Sequence, residues 1–335
     1  MRKKKTASSN ATSRRRRFNP FKLNPRRLLA FGALVFATGG GLFTWHHFAP
    51  QETRDQIESV TLNVLDLVRE SELAPAELVF WLDLVADNIP LTRGNVVAPG
   101  IKLAGTGHSL GGLPAAAQPL TALRNTGYFA GYDERRKNPA WVAYKVFQPR
   151  HPPSPRPEGF ESDERTTARI ESALYAHSGF DRGHLAPNRA IALCYGREAQ
   201  RETFRMSNVV PQKHGLNAGF WEAMERRIMD RYTRRYENVW VLCGPIYDTA
   251  KAPRLIRGKI AVPDAFYLII AEQSSGGIRA QAFNIPHQAI KKNADPTPYL
   301  TSIRDIERRT GLDFFPDLPG PNQDALETHP SKRAW

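Results

Sequence analysis

The tetrapeptide Asp181-Arg182-Gly183-His184 places four residues with complementary chemistry next to one another. A histidine imidazole can accept a proton near neutral pH, and an arginine guanidinium can grip a phosphate through two parallel hydrogen bonds. Glycine lets the backbone turn tightly or approach a ligand closely. Together these groups could attack a phosphodiester bond. Asp-Arg ion pairs and structural histidines are common, so the motif needs support from the rest of the chain.

Short strands and one long helix are predicted to position this motif. Residues 178–184 are expected to bring His184 to the end of a short strand, and residues 203–212 predict a second one. Residues 217–237 are predicted to form a helix with apolar residues spaced three to four apart. Because strands and helices do not alternate strictly, the sequence predicts a mixed α+β domain at 120–318. Further strands are expected at 239–245, 265–271 and 278–284.

The net charge of +14 is concentrated at the N-terminus. Eleven of the 47 Lys and Arg residues lie in residues 1–27, which contain no acidic residue. The rest of the chain has 36 basic residues against 33 acidic ones. The composition therefore does not indicate a general attraction of the folded domain to nucleic acid, and any phosphate-binding surface must be local.

Residues 28–48 form an apolar stretch that carries no formal charge when its two histidines are neutral. About 20 such residues suffice to cross a bilayer as a helix. With the basic tail at 1–27, the positive-inside rule predicts a transmembrane signal anchor and a periplasmic or extracellular location for the following domain. A cleaved signal peptide is an alternative, and an Arg-rich, acid-poor start also fits mitochondrial import.

The segments on either side of the predicted domain carry no recognisable catalytic chemistry. Helical periodicity at 51–90 and a stretch rich in Gly, Pro and Ala at 91–118 predict a helical stalk and linker over 51–118. Residues 319–335 are predicted to be a polar tail.

The pentapeptide Gly-His-Ser-Leu-Gly at 107–111 fits the pattern of an esterase nucleophile, which would be Ser109. That pattern requires a buried strand before the serine and a helix after it. The preceding residues make a poor buried strand, and Pro114 follows closely. A glycine-rich turn is the simpler interpretation, and an esterase is the alternative.

The two cysteines, Cys194 and Cys243, show none of the spacings typical of a zinc site. A disulfide would fit an exported domain. Two buried free thiols are an equal alternative.

Several blocks of sequence, in order, resemble the DNA/RNA non-specific endonucleases, the DRGH family of the Serratia nuclease and endonuclease G type. Their order and spacing make the resemblance specific, and it covers about residues 123–318. The blocks are residues 138–144, 179–187, 207–212 with 216–225, 239–247 and 306–316.

The resemblance implies an α+β fold with a central antiparallel sheet flanked by helices and a ββα-metal (His-Me finger) core. In that core a strand pair presents the histidine, and the following helix presents the metal ligand. The implied activity is Mg²⁺-dependent hydrolysis of DNA and RNA to 5′-phosphate ends, with Mn²⁺ as an alternative metal. The implied partners are DNA and RNA, bound through the phosphate backbone, and a second copy of the chain in a homodimer.

Three residues receive the central roles from this resemblance. His184 would be the general base that activates the attacking water, which suits an imidazole. Asn217 would be the single direct protein ligand of a Mg²⁺ that otherwise keeps water, as this ion tends to do; the same residue could also cap its helix. Glu225 would hold a metal-bound water. It lies two helical turns beyond Asn217, so it could reach the site only through an intermediary.

Supporting roles follow for five more residues. Arg182 would contact phosphate, and Asn208 would support the site by hydrogen bonding. Either Arg156 or Arg165 would be the further phosphate-binding arginine that the family has upstream of the motif. Asp181 is expected to be structural and to buttress the turn.

Two other functions stay open at this point. One is a nuclease-like module with reduced catalysis that binds nucleic acid while tethered to a membrane through residues 28–48. The other is a phosphodiesterase acting on small nucleotides.

Overall fold

The computed structural model describes residues 95–96, 107–274 and 277–335. These residues belong to one unit, Thr92–Trp335. Within them, no helix combines the length and the apolar character needed to cross a bilayer. The predicted basic tail, the apolar stretch at 28–48 and most of the predicted stalk lie outside the described residues, so their assignments stay predictions.

The described strands are short at the periphery and long at the centre of the unit. In chain order they are β1 (Asn95–Val96), β2 (Ala115–Ala116), β3 (Thr121–Arg124), β4 (Tyr128–Asp133), β5 (Asn138–Val146), β6 (Asp181–His184), β7 (Val209–Gln212), β8 (Val239–Ile246), β9 (Leu255–Ile256), β10 (Ile260–Ala261), β11 (Ala265–Ser274), β12 (Gly277–Pro286), β13 (Leu300–Thr301) and β14 (Leu312–Asp313).

Eight of these strands form a central sheet in the order β1-β12-β11-β8-β5-β4-β3, with β13 also paired to β12. Its pairings are antiparallel throughout. Outside this sheet, β2 pairs with β14, β6 with β7, and β9 with β10. The predicted α+β class with a central antiparallel sheet is therefore confirmed.

Helices pack on both faces of the sheet. A long helix, α3, spans 216–235 and is irregular, because wide π-helical turns at Leu216–Trp221 and Ile228–Tyr232 interrupt it. The other helices are α1 (Asn188–Tyr195), α2 (Arg197–Glu202), α4 (Ile303–Thr310) and α5 (Gly320–Glu327).

The two faces of the sheet bury different cores. On one face, Cys243 and its neighbours pack with Phe220 and Trp221 of α3. On the other face, Leu242 packs with residues of α4 and α5, among them Ile306. Because both faces are covered, every residue of β8 is buried. This explains an apolar run without the alternation expected of a half-exposed strand.

Residues 319–335 differ from the predicted polar tail, because they include α5 and end on a buried residue. Trp335 is 4% exposed. The carbonyl oxygen of Trp335 accepts from the Tyr232 hydroxyl at 2.8 Å, and the backbone N–H of Trp335 donates to Gln281 Oε1 at 2.9 Å. Burial of Trp335 and of Leu326 helps to hold this otherwise polar segment on the domain.

The structure contradicts the esterase alternative. Ser109 is 1% exposed, and its hydroxyl donates to the carbonyl oxygen of Gly112. A nucleophilic serine must be open to its substrate, so this serine stabilises a glycine-rich turn.

The structure also decides between the two readings of the cysteines. Cys194 and Cys243 are both buried and both free. Their thiols face the carbonyl oxygens of Phe147 and Leu185, each at 3.4 Å. The disulfide alternative is therefore wrong.

Candidate active site

The strand pair β6–β7 carries the DRGH motif. Asp181 is opposite Gln212, and His184 is opposite Val209. Gly183 lies directly over the Gln212 side chain, where a Cβ atom would overlap it. The motif thus needs glycine at this position because a neighbouring side chain fills the space.

Asn208 fixes the chain just beyond His184. It is fully buried, and its Oδ1 accepts from the backbone N–H of Ala186 at 2.8 Å. Its Nδ2 donates to the carbonyl oxygens of Ala186 and Thr203 at 3.0 and 2.9 Å. These bonds satisfy the buried amide. They agree with the supporting role expected for Asn208.

The His184 imidazole lies between two phenylalanine rings. The ring centroids of Phe160 and Phe204 are 5.0 and 4.8 Å from that of His184. The residue is 8% exposed. Its Nε2 is buried without a hydrogen-bond partner among the described residues, so Nδ1 is the ring nitrogen that solvent reaches.

The electrostatic setting keeps this imidazole neutral. Burial disfavours the imidazolium, and the positive charge of Arg156 adds to the effect, which lowers the pKa of His184 to about 3. A histidine that is neutral across the physiological range keeps a nitrogen lone pair free.

An arginine lies on each of the two phenylalanines. The guanidinium of Arg156 is 5.1 Å from the Phe204 ring, and that of Arg182 is 5.9 Å from the Phe160 ring. Arg182 also donates from Nε and Nη2 to the carbonyl oxygen of Ser172, at 3.2 and 2.6 Å. This leaves Nη1 without a hydrogen-bond partner among the described residues. Both arginines therefore lie close to His184.

Arg165 is engaged elsewhere. Its Nη2 is 2.7 Å from Oδ2 of the buried Asp163. It also donates to the Arg124 carbonyl oxygen and to Asn125 Oδ1 at 2.8 and 2.9 Å. Of the two upstream candidates, the structure brings Arg156 to His184 and places Arg165 in a structural ion pair.

Asp181 orients Asn217. Its Oδ2 accepts from Asn217 Nδ2 at 2.9 Å and lies 2.8 Å from His214 Nδ1. Because the amide nitrogen faces the carboxylate, the amide oxygen points away from it. That oxygen has no hydrogen-bond partner among the described residues. The expected buttressing role of Asp181 thus includes the side chain of Asn217 itself.

Asn217 lies in an irregular first turn of α3, within the wide segment Leu216–Trp221. Gly219 has φ −100° and ψ −111°, outside the helical region. A Cβ atom on Gly219 would be 2.7 Å from the carbonyl oxygen of Ile290, and one on Gly215 would be 2.6 Å from the Ala289 side chain. The segment around Ile290 therefore packs against the turn that presents Asn217.

We expect Gly219→Ala to lower the free energy of unfolding by about 1–3 kcal/mol, because the added methyl group has no space against a backbone oxygen. Urea denaturation measures the change. Gly320→Ala is the matched control, since a Cβ atom there meets nothing within 4 Å. Equal midpoints for the two variants would show that the contact with Ile290 does not constrain the turn.

Glu225 lies further along α3 and is half-buried. Desolvation raises the pKa of its carboxyl to about 8, and the charge of Arg156 opposes this rise. Arg156 also acts on His184. The same arginine therefore lies within electrostatic reach of both residues.

The oxygen donors at the site fit a hard divalent cation. Asn217 offers one free amide oxygen, and Glu225 offers a carboxyl that a nearby cation would help to ionise. So few protein ligands suit Mg²⁺, which keeps several of its waters. The described residues hold one cluster of three metal-ligand side chains, formed by Glu307, Asp313 and Glu327. The Arg304 guanidinium lies 3.0 Å from Glu327, so that cluster already has a cation.

Three features of the site were not found in the sequence. They are the rings of Phe160 and Phe204, the contact of His214 with Asp181, and the imidazole of His287, whose Nε2 accepts from the Lys213 N–H at 2.8 Å. Single aromatic and histidine residues in loops carry no local signal. The closeness of Lys213 and His214 to Asn217 in the sequence is the one signal that could have suggested a role for these two residues.

Comparisons with known proteins agree with this geometry. Residues 112–320 match the family described as DNA/RNA non-specific endonuclease. The Danio rerio protein "Nuclease EXOG, mitochondrial" is 31% identical over 220 residues, covering 58% of this chain and 60% of the relative. The Bos taurus protein "Endonuclease G, mitochondrial" is 30% identical over 230 residues, covering 62% of this chain and 72% of the relative.

The crystal structure of the EndoG/EndoGI complex matches with a TM-score of 0.56 and 26% identity, covering 62% of this chain and 90% of that chain. The chain spans 60% of the length of the Danio rerio relative. Fold, motif order and family match agree, and the resemblance seen in the sequence is confirmed. The chain belongs to the DNA/RNA non-specific endonuclease family.

Proposed function

We propose that the protein is a divalent-metal-dependent endonuclease that hydrolyses phosphodiester bonds of DNA and RNA and leaves 5′-phosphate ends. The observation that carries this proposal is the neutral His184 imidazole on the strand pair β6–β7, which lies close to Arg156 and Arg182. Asp181, the first residue of that strand pair, holds the Asn217 side chain. Magnesium is the proposed metal, because the donors are few and are all oxygen.

The residues divide the chemistry among themselves. His184 accepts the proton of the attacking water at Nδ1, the ring nitrogen that solvent reaches. Arg156 and Arg182 bind the phosphoryl oxygens and offset the charge that develops on them. Asn217, oriented by Asp181, and Glu225, acting through water, would hold the cation. Bound there, the cation would neutralise charge at the leaving oxygen.

Low sequence specificity follows from the same set of residues. Arginines that grip phosphate carry no direct information about the base, because the backbone is the same at each nucleotide. None of the proposed roles needs the 2′-hydroxyl group either. DNA and RNA are therefore both proposed as substrates.

The cellular location is also a proposal. The Danio rerio and Bos taurus relatives are named as mitochondrial, which favours mitochondrial import over a periplasmic or extracellular domain. The anchor at 28–48 lies outside the described residues, so membrane attachment stays a prediction. The homodimer also stays a prediction.

Plasmid nicking by the full-length chain tests the function. We expect nicking with Mg²⁺ or Mn²⁺, none after EDTA, and a rate lower by about 10²-fold or more in His184→Ala. Nicking that survives both EDTA and the substitution would refute the mechanism. Nucleic-acid binding without cleavage would indicate a binding module, and cleavage of small nucleotides alone would indicate a phosphodiesterase of that kind.

The two upstream arginines predict opposite phenotypes. Arg156→Gln should lower kcat/KM by about 10²-fold, as expected for loss of a group that stabilises transition-state charge, without loss of stability. Arg165→Gln should leave kcat near the wild-type value. It should lower the free energy of unfolding by about 1–3 kcal/mol, because it leaves the buried Asp163 carboxylate short of partners.

Steady-state kinetics and urea denaturation of both variants measure the two effects. Interchanged results, with Arg165→Gln inactive and Arg156→Gln merely unstable, would contradict the assignment of Arg156 to the phosphate.

A further inference from the structure

A second group of basic residues lies beside the site and has no part in the mechanism above. Residues 249–263 contain no acidic residue. They include the hairpin β9–β10, and its basic side chains are exposed. The basic residues of this segment are Lys251, Arg254, Arg257 and Lys259.

The imidazole of His287 joins this hairpin to the chain that leads to Asn217. Its Nδ1 donates to the Pro263 carbonyl oxygen at 2.7 Å, and its Nε2 accepts from the Lys213 N–H at 2.8 Å. Burial lowers the pKa of His287, and the charges of Lys213 and Arg254 lower it further. Both cations are therefore close to one buried ring.

Arg254 also contacts the residue that precedes the DRGH strand. Its guanidinium is 4.8 Å from the ring of Phe180, the residue before Asp181. The Phe180 ring is in turn 5.7 Å from that of His287. Arg254 and Lys213 thus lie on the side of the site where Asp181 holds Asn217.

The basic residues around this hairpin differ in whether their side chains already pair with a neighbouring group. Lys251 is paired with Asp248 and Asp264 at 3.3 and 2.8 Å. Arg257 donates to the carbonyl oxygens of Leu174 and Ala176, which anchors the hairpin. Lys213 and Arg254 are exposed and make no ion pair with a described residue. Of the cations here that make no ion pair with a described residue, Lys213 and Arg254 are the two that lie close to the His287 ring.

We propose that Lys213 and Arg254 bind a phosphate group of the polynucleotide other than the one being cleaved. This proposal rests on the proposed function and adds a second contact point for the substrate strand on the Asn217 side. The contact strengthens the binding of long substrates and takes no part in the chemical step.

The test uses the full-length double variant Lys213→Gln/Arg254→Gln. The matched control is Arg308→Gln/Arg309→Gln, which removes the same charge from α4 on the opposite face of the sheet. Binding of a labelled DNA duplex is measured by fluorescence anisotropy at several salt concentrations, with His184→Ala added to each variant to prevent cleavage. Kinetics are measured on the variants that keep His184. The substrates are plasmid DNA and thymidine 5′-(p-nitrophenyl phosphate), which has a single phosphodiester.

We expect the slope of log K against log salt for the duplex to fall by about 0.9 relative to the control, since one phosphate contact contributes about 0.9. KM for plasmid should rise roughly tenfold, in line with the loss of phosphate contacts, while the small ester is cleaved as by the control. An unchanged slope, or equal losses on plasmid and ester, would overturn the proposal. A wild-type protein that binds duplex with the expected slope but cleaves neither substrate would refute the proposed function alone.

Discussion

Replacing His184 with alanine should reduce kcat for plasmid nicking by about 10²- to 10⁴-fold, the usual contribution of a general base. The imidazole has no hydrogen-bond partner at Nε2 among the described residues, so the substitution breaks no bond there. The fold should therefore survive the change. Nicking rates and duplex binding, measured side by side, separate a loss of chemistry from a loss of substrate.

The same variant tests the electrostatic setting of the imidazole. Its folded-state pKa, about 3, lies below the ordinary value near 6.5. The unfolded chain therefore binds an extra proton between these two values, and wild-type stability falls as the pH drops from about 6.5. The alanine variant lacks this titrating group. Its free energy of unfolding, compared with that of the wild type, should therefore rise as the pH falls toward 4. Parallel stability curves for the two proteins would contradict a strongly depressed pKa.

Replacing Asn217 with alanine should raise the Mg²⁺ concentration for half-maximal activity by well over tenfold. Loss of a group that only orients a metal ligand already costs about 10–100-fold, and here the ligand itself is removed. Metal titration of nicking activity measures the change. An unaltered titration would show that the cation binds elsewhere.

The hydrogen bond from Asn217 to Asp181 allows a sharper control. Asn217→Asp alone places two carboxylates against each other, and like charges at that distance disfavour ionisation of both. Asn217→Asp should therefore bind Mg²⁺ less well than the wild type does. The exchange Asp181→Asn/Asn217→Asp returns one donor and one acceptor to the pair and leaves a free oxygen on residue 217. Recovery in the double variant, and in neither single one, would establish Asp181 as the residue that orients the ligand.

The sequence contained enough to predict the strand that ends at His184 and the helix that begins near Asn217. Both depend on local patterns, namely short apolar runs and a three- to four-residue spacing. It could not separate Arg156 from Arg165, because the difference lies in contacts with Phe204 and Asp163. Nor could it place Trp335, whose burial depends on Tyr232, about a hundred residues earlier.

The irregularity of α3 has a similar origin. The apolar spacing predicts a regular helix at 217–237, and the structure shows wide turns and a non-helical glycine instead. The backbone of Ile290, far along the chain, packs against Gly219. Long-range packing of this kind overrides local preference and leaves no trace in the helix sequence itself.

The division of the sheet into two faces has a practical consequence for handling the protein. α4 and α5 cover the face that carries none of the proposed catalytic side chains. Arg308 on α4 is exposed over 71% of its side chain and pairs with Asp305 at 3.0 Å. A dye or a bead attached at this position would stand behind the sheet, leaving the substrate side open. The two native thiols are buried, so a single cysteine introduced at position 308 should be the site that a maleimide reaches first.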